Sequence, residues 1–216
     1  MVAYGRTLIV YYSLVVSAIS KYSRSCMKPT KIPCDYLARG RSGRASVLFS
    51  AIRPYLIPGM TYLDIGCGTA PLTSYLDGEC PPALYVGIDL NREAIESCAA
   101  EYLQHTWILV KSDHFTIDRG YDVVIHTGVN APRFNDAEIH ERVLMDPQSH
   151  PRCTLLESGD FLDGPSDTRE TYERIKGIYL RAGFVTASEG ILTVADFPVP
   201  VRTYVILTNP NRPASK

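Results

Sequence analysis

From Thr61 onward the chain repeats one pattern: a short run of β-branched and aromatic residues, a turn rich in Gly, Asp, Asn or Ser, then a stretch with apolar positions at helical spacing. The strand-like runs are 61–65, 84–90, 106–113, 121–128 and 153–158. Helical spacing precedes them at 42–56, where Leu48, Ile52 and Leu56 share a face and Pro58-Gly59 stops the helix. It returns from 71 to about 77, over 91–103 and over 136–144. A last helix starts at Asp167, with Glu170 as capping-box partner, and lines Tyr172, Ile175, Tyr179 and Ala182 on one face. Arg181 suits its carboxyl-terminal dipole, and Gly183 supplies the left-handed residue that closes it. Two more strand-like runs, 184–194 and 202–208, flank the turn-like segment 195–201.

Strand–helix alternation through five strands predicts an α/β fold, a doubly wound and mostly parallel sheet with helices on both faces. Ligands collect at the carboxyl ends of strands in such sheets, which selects segments 64–70, 89–92, 112–115, 126–133 and 157–167. We divide the chain into a basic N-terminal extension, 1–41, and one domain, 42–216.

Composition supports the globular reading and adds an asymmetry. The 216 residues are 45% apolar and 21% charged, with a formal net charge of −1. Between Met1 and Gly59 nine Lys or Arg face one acid, Asp35, whereas the remainder has 13 basic and 22 acidic residues. The basic arm either docks on the acidic body or meets an anionic partner such as RNA or a membrane surface. Residues 7–20 are uncharged for 14 positions, short of the ~20 that a spanning helix needs, so no membrane span is expected. Six cysteines without a CxxC pair or zinc-like spacing read as reduced thiols, and no metal is expected. A cytoplasmic setting follows; an organelle is the alternative if residues 1–26 are a leader, and Met27 is a second candidate start. Nothing here indicates an oligomeric state.

The chemistry concentrates in "LDIGCGTAP", 63–71. A dinucleotide fingerprint, GxGxxG, wants glycine where this chain has Pro71, which offers no N–H to a phosphate and crowds the helix–strand contact. S-adenosylmethionine carries no phosphate; it needs a turn of close approach and carboxylates for its ammonium and hydroxyls. "LDIGCGTA" followed by "GIDLN" one βα unit later resembles motif I and the acidic second-strand end of the class I S-adenosylmethionine-dependent methyltransferases, over roughly 61–207.

That resemblance implies a Rossmann-like seven-stranded sheet with an antiparallel last strand, S-adenosylmethionine as cofactor, and methyl transfer as the activity. It places Asp64 near the methionine amino group, Gly66 and Gly68 beneath the cofactor, Asp89 on the ribose hydroxyls and Asp113 on the adenine amino group, and counts Cys67, Leu90 and His114 in the cofactor set. One departure is Ala70, where the family's commonest motif has glycine; alanine is tolerable there if its φ is negative. Singly, Asp89 could cap the next helix and Asp113 a loop. Jointly with Asp64 and the glycines they fall on one rim.

Methyl transfer needs alignment, exclusion of water and, for some acceptors, a base. His126, at the end of the fourth strand, is the catalytic candidate; a histidine bonded to a loop carbonyl or stacked on adenine is the alternative. The segment "HTGVNAPRF" lacks the Asn/Asp-Pro-Pro-aromatic signature of nucleic-acid amino methyltransferases. His140 and His150 read as surface or packing residues. Tyr11, Tyr12, Tyr22 and Tyr36 are lid aromatics or ordinary interfacial ones, and Arg39, Arg41 and Arg44 in "ARGRSGR" either grip an anion or form a solvated turn, the simpler reading. The expected function is methyl transfer to oxygen or nitrogen of a small-molecule acceptor, with RNA or protein methylation through the basic arm as the alternative. A non-catalytic cofactor-binding subunit and a nicotinamide reductase are the outlying readings.

Overall fold

The computed structural model describes residues 41–129, 136–158, 167–192 and 202–212. The basic arm before Arg41, segments 130–133 and 159–166, and the expected turn 195–201 lie outside the described residues.

Seven strands form one sheet: β1 (Thr61–Ile65), β2 (Leu84–Asp89), β3 (Thr106–Leu109), β4 (Val123–Val129), β5 (Cys153–Ser158), β6 (Val185–Leu192) and β7 (Arg202–Thr208). Their order is β3-β2-β1-β4-β5-β7-β6, with β7 antiparallel to both neighbours and the other pairings parallel. The chain switches direction between β1 and β4, where such sheets open a crevice. Among the described residues five α-helices cover the faces: α1 (Arg41–Ile52), α2 (Thr73–Glu79), α3 (Arg92–Glu101), α4 (Asp136–Val143) and α5 (Asp167–Arg181).

Alternation along the strands sorts the core. Tyr62, Tyr85, Val123, Ile125 and Leu155 turn to the α1–α2–α3 face, where Leu48, Ile52, Leu76 and Ile95 meet them. Leu63, Ile65, Ile88 and Val124 turn to the other face with Ile139 and Val143 of α4, while Leu156 and Val205 pack on Tyr172, Ile175 and Tyr179 of α5. Glycine is required at position 87, because the Trp107 ring lies so close that a Cβ there would come within 2.5 Å of it.

Several boundaries differ from the sequence expectation. α1 tightens into a 3-10 turn at Arg53–Tyr55, where Pro54 has no N–H to donate to an α-helical bond. α2 starts at Thr73 rather than 71: residues 71–72 form a tighter turn, closed by the Thr73 N–H donating to the Ala70 carbonyl at 3.1 Å, and the first α-type bond runs from the Leu76 N–H to the Leu72 carbonyl at 3.0 Å. β3 stops at Leu109, and a 3-10 turn at Ser112–His114 replaces its expected end. The third crossover therefore has no α-helix; its sequence, "VKSDHFTIDRGY", has no helical apolar period.

Candidate active site

The glycine turn leaves β1 with three consecutive alternate positions in left-handed conformation: Gly66 at φ 65°, Gly68 at 53° and Ala70 at 47°. The condition for an easy alanine at this position, a negative φ, is thus not met by Ala70. Its left-handed backbone costs ~1 kcal/mol, offset by complete burial of its methyl group. The turn is held by the Cys67 N–H donating to the Ile88 carbonyl at 3.0 Å and the Ala70 N–H donating to the Cys67 carbonyl at 2.8 Å.

Asp64 is buried at the last turn-facing position of β1. The Tyr85 hydroxyl donates to its Oδ2 at 2.5 Å, and its Oδ1 is buried without a hydrogen-bond partner. Burial pushes the carboxyl up to about 7; the Tyr85 hydrogen bond opposes this, the Asp89 charge adds to it and Arg44 opposes it. Asp89, half-buried at the end of β2, accepts the Gly68 N–H on Oδ2 and the Asn91 N–H on Oδ1, each at 2.7 Å. The cap of α3 is Asn91, which accepts the Ala94 N–H at 3.3 Å. Asp89 is therefore no mere helix cap: it fastens the glycine turn to the second strand.

The other cofactor candidates separate by role. The Cys67 side chain points into the core, where burial above all holds its thiol well up, so only its backbone reaches the turn. Leu90 stands 45% exposed at the rim, an apolar surface beside Asp89. His114 is exposed on the 3-10 turn that also contains Asp113, whose side chain lies outside the described residues. Arg142 of α4 positions that turn, donating to the Phe115 carbonyl at 2.9 Å and the Ser112 carbonyl at 2.8 Å. Sequence reasoning missed Arg142, since nothing local pairs a helix arginine with carbonyls about 30 residues earlier.

His126 is buried on β4, with one edge toward the turn: a Cβ at Gly66 would lie 3.9 Å from its Nε2 and Cδ2. Its Nδ1 lies 3.0 Å from Nε2 of His140, and Nδ1 of His140 lies 2.9 Å from the Tyr179 hydroxyl. The loop-carbonyl alternative thus gives way, on this edge, to a side-chain pair. His140 is wholly buried, correcting the surface reading and sustaining the packing one. The signal was present: His140 sits three residues from both Ala137 and Val143, which are also buried. His150 is buried too, its Nε2 donating to the Leu144 carbonyl at 2.9 Å.

Arg44 lies within α1, not in a solvated turn. Its guanidinium forms a bidentate pair with Glu157, which is completely buried at the end of β5, the Nε–Oε1 bond being 2.7 Å. Arg202 adds a second cation at 3.5 Å. The start of α1 is thereby tied to the carboxyl rim of the sheet. The four described cysteines, Cys67, Cys80, Cys98 and Cys153, are buried thiols. Among the described residues no group of three or more His, Cys, Asp or Glu could hold a metal ion, and no helix is long and apolar enough to cross a membrane.

No family model and no curated protein sequence matches the chain. Solved structures do resemble it. The magnesium protoporphyrin IX methyltransferase ChlM from Synechocystis PCC 6803, with S-adenosylhomocysteine bound, superposes with a TM-score of 0.60 at 15% identity, over 85% of this chain and 89% of that one. The N-methyltransferase NodS from Bradyrhizobium japonicum WM9, in complex with S-adenosylhomocysteine, gives 0.58 at 14% identity, over 80% and 88%. TrmK from M. capricolum, in complex with the same cofactor product, gives 0.52 at 13% identity, over 77% and 68%. The chain has the class I methyltransferase fold, Rossmann-like with an antiparallel seventh strand, as the glycine turn and strand order implied.

Proposed function

We propose that the protein is an S-adenosylmethionine-dependent methyltransferase acting on oxygen or nitrogen of a small-molecule acceptor. The observation that carries the cofactor assignment is the Asp64 Oδ1, buried and unpartnered beside a turn of positive-φ residues. Once ionised, an oxygen of that kind fits a cationic donor, such as the ammonium of the cofactor's methionine part, and repels a phosphate. Asp89 has lone pairs left for ribose hydroxyls after its two backbone bonds, Leu90 offers apolar surface to adenine, and Arg142 steadies the turn of Asp113 and His114. Bound there, the cofactor would supply a methyl group already activated by sulfonium charge. The chain's own part is to align the two reactants, exclude water and, through His126, take a proton from the acceptor.

A small-molecule acceptor is favoured because the Arg44–Glu157 pair brings the start of α1, and so the junction with the extension, to the carboxyl rim, where a preceding segment can cover a small pocket. One solved neighbour is itself a methyltransferase of a porphyrin. The same junction supports the second reading: the six basic residues before Arg41 could bring RNA to that rim. A cytoplasmic setting, in keeping with four buried thiols, belongs to the proposal.

Calorimetry with S-adenosylhomocysteine and with NADPH tests the cofactor; binding of NADPH alone would overturn it. Incubation with methyl-labelled cofactor and fractionated extract then tests the acceptor. Label in small molecules is the expected result, and label in RNA or protein selects the second reading.

A further inference from the structure

The pair that His126 makes on its inner side continues into the core, and the mechanism above does not use that continuation. His126 Nδ1, His140 Nε2, His140 Nδ1 and the Tyr179 hydroxyl form one line of hydrogen bonds at 3.0 and 2.9 Å, crossing from β4 through α4 to α5. All three side chains are buried, His140 and Tyr179 completely. The two imidazole rings stack with centroids 5.2 Å apart, and Tyr179 meets His140 edge-on. Burial first, and the neighbouring His126 second, hold His140 well below the usual histidine range, so it stays neutral.

A neutral imidazole with two hydrogen-bond partners donates on one nitrogen and accepts on the other. The chain therefore has only two polarities. In one, His126 donates Nδ1–H to His140 Nε2, His140 donates Nδ1–H to the Tyr179 oxygen, and the hydroxyl of Tyr179 is left to turn toward Thr154, whose buried Oγ1 has no other partner. Thr154 lies close enough to act on the ionisation of Tyr179. In the reverse polarity His126 carries its proton on Nε2, the edge that faces Gly66, and has no lone pair to offer there.

We propose that His140 and Tyr179 are positioning residues that hold His126 as the Nδ1–H tautomer, presenting Nε2 to the methyl acceptor as its proton-accepting edge. The inference rests on the methyltransferase reading. In the step it serves, the acceptor oxygen or nitrogen bonds the methyl carbon, the sulfonium sulfur keeps the electron pair of the broken S–CH3 bond, and the acceptor's proton goes to His126 Nε2. The imidazolium so formed has N–H on both nitrogens and must donate inward, which this polarity alone accommodates without first rearranging. His140 thus does for His126 what a hydrogen-bonded orienting group does for a general base, with a neutral ring in place of a carboxylate.

The test is nitrogen NMR of the full chain with labelled histidines, which reads each tautomer directly and needs no acceptor. Both His126 and His140 should report the Nδ1–H form in the wild type, and Tyr179→Phe should move His140 to the Nε2–H form while leaving S-adenosylhomocysteine affinity unchanged. A wild-type His126 protonated on Nε2 overturns the proposal whatever the variant does. Absence of S-adenosylhomocysteine binding by the wild type, measured separately, overturns the methyltransferase reading instead, so the two failures are told apart.

Discussion

Asp122 and Asp64 stand at opposite ends of the central strand pair β1–β4, and the fold treats them in opposite ways. Asp122, just before β4, accepts the Thr61 N–H and hydroxyl on Oδ2, each at 3.0 Å, and the Arg152 guanidinium on Oδ1 at 3.0 Å, with Arg212 at 3.8 Å. Burial tends to raise its pKa, but these hydrogen bonds and the Arg152 charge outweigh burial and hold it below the usual range. Asp64 receives one phenolic hydrogen bond, keeps one oxygen without a partner, and is pushed up to about 7, chiefly by burial. The amino end of the sheet is closed by saturated polar bonds that join β1, β4, β5 and the segment after β7. At Asp64, on the carboxyl end, satisfaction is withheld, which costs stability and leaves a place for a ligand.

The signs of the two pH effects follow. For Asp122 the folded pKa is depressed, so its stabilisation is present above the ordinary aspartate range and is lost as pH falls through the folded value. For Asp64 the folded pKa is raised from 3.8 to about 7, so its contribution is full below the unfolded value and is lost as pH rises through the folded one.

Five measurements would break or sharpen this contrast. The largest effect is expected at the amino end: Asp122→Ala should cost about 2–4 kcal/mol in urea unfolding, because it takes the carboxylate from the Arg152 and Arg212 guanidiniums and from the Thr61 donors, while cofactor affinity stays as it was. A comparable loss of affinity would break the division of labour. Next comes Asp89→Ala, which should weaken S-adenosylhomocysteine by ~10- to 100-fold, about 1.5–3 kcal/mol, with a stability loss nearer 1 kcal/mol from the two freed N–H groups. Were stability to fall more than binding, Asp89 would belong with Asp122.

Asp64→Asn should do what no amino-end substitution does, namely stabilise the unliganded protein at pH 8 by on the order of 1–2 kcal/mol while abolishing cofactor binding. In the wild type the same group makes binding release a proton. Affinity should rise with pH by up to about tenfold per unit below 7 and level above it, and a flat profile would remove Asp64 from the cofactor's ammonium. The smallest effect belongs to Ala70→Gly. Relief of the left-handed backbone is offset by the lost methyl burial and the freer unfolded chain, leaving stability within about 1 kcal/mol of wild type.

What the chain's own order of residues determined is the scaffold and the rim. The strand runs, the apolar faces of α1 and α5, the Gly183 stop at φ 89° and the glycine turn at 66 and 68 all depend on residues within a few positions of one another. Periodicity and backbone preference are local properties, and so they are legible in one sequence. Asp64 and Asp89 were legible for the same reason, each at the end of its own strand. Tertiary structure alone decided the partners. Arg44 meets Glu157 across 113 positions, Asp64 meets Tyr85 across 21, and His126 meets His140 and then Tyr179 through two helices that dock on the same face. Such pairings depend on which helix faces pack together and at what height along the strands. That is settled by burial of apolar area over the whole domain, which leaves no trace in the spacing of the polar residues it brings together.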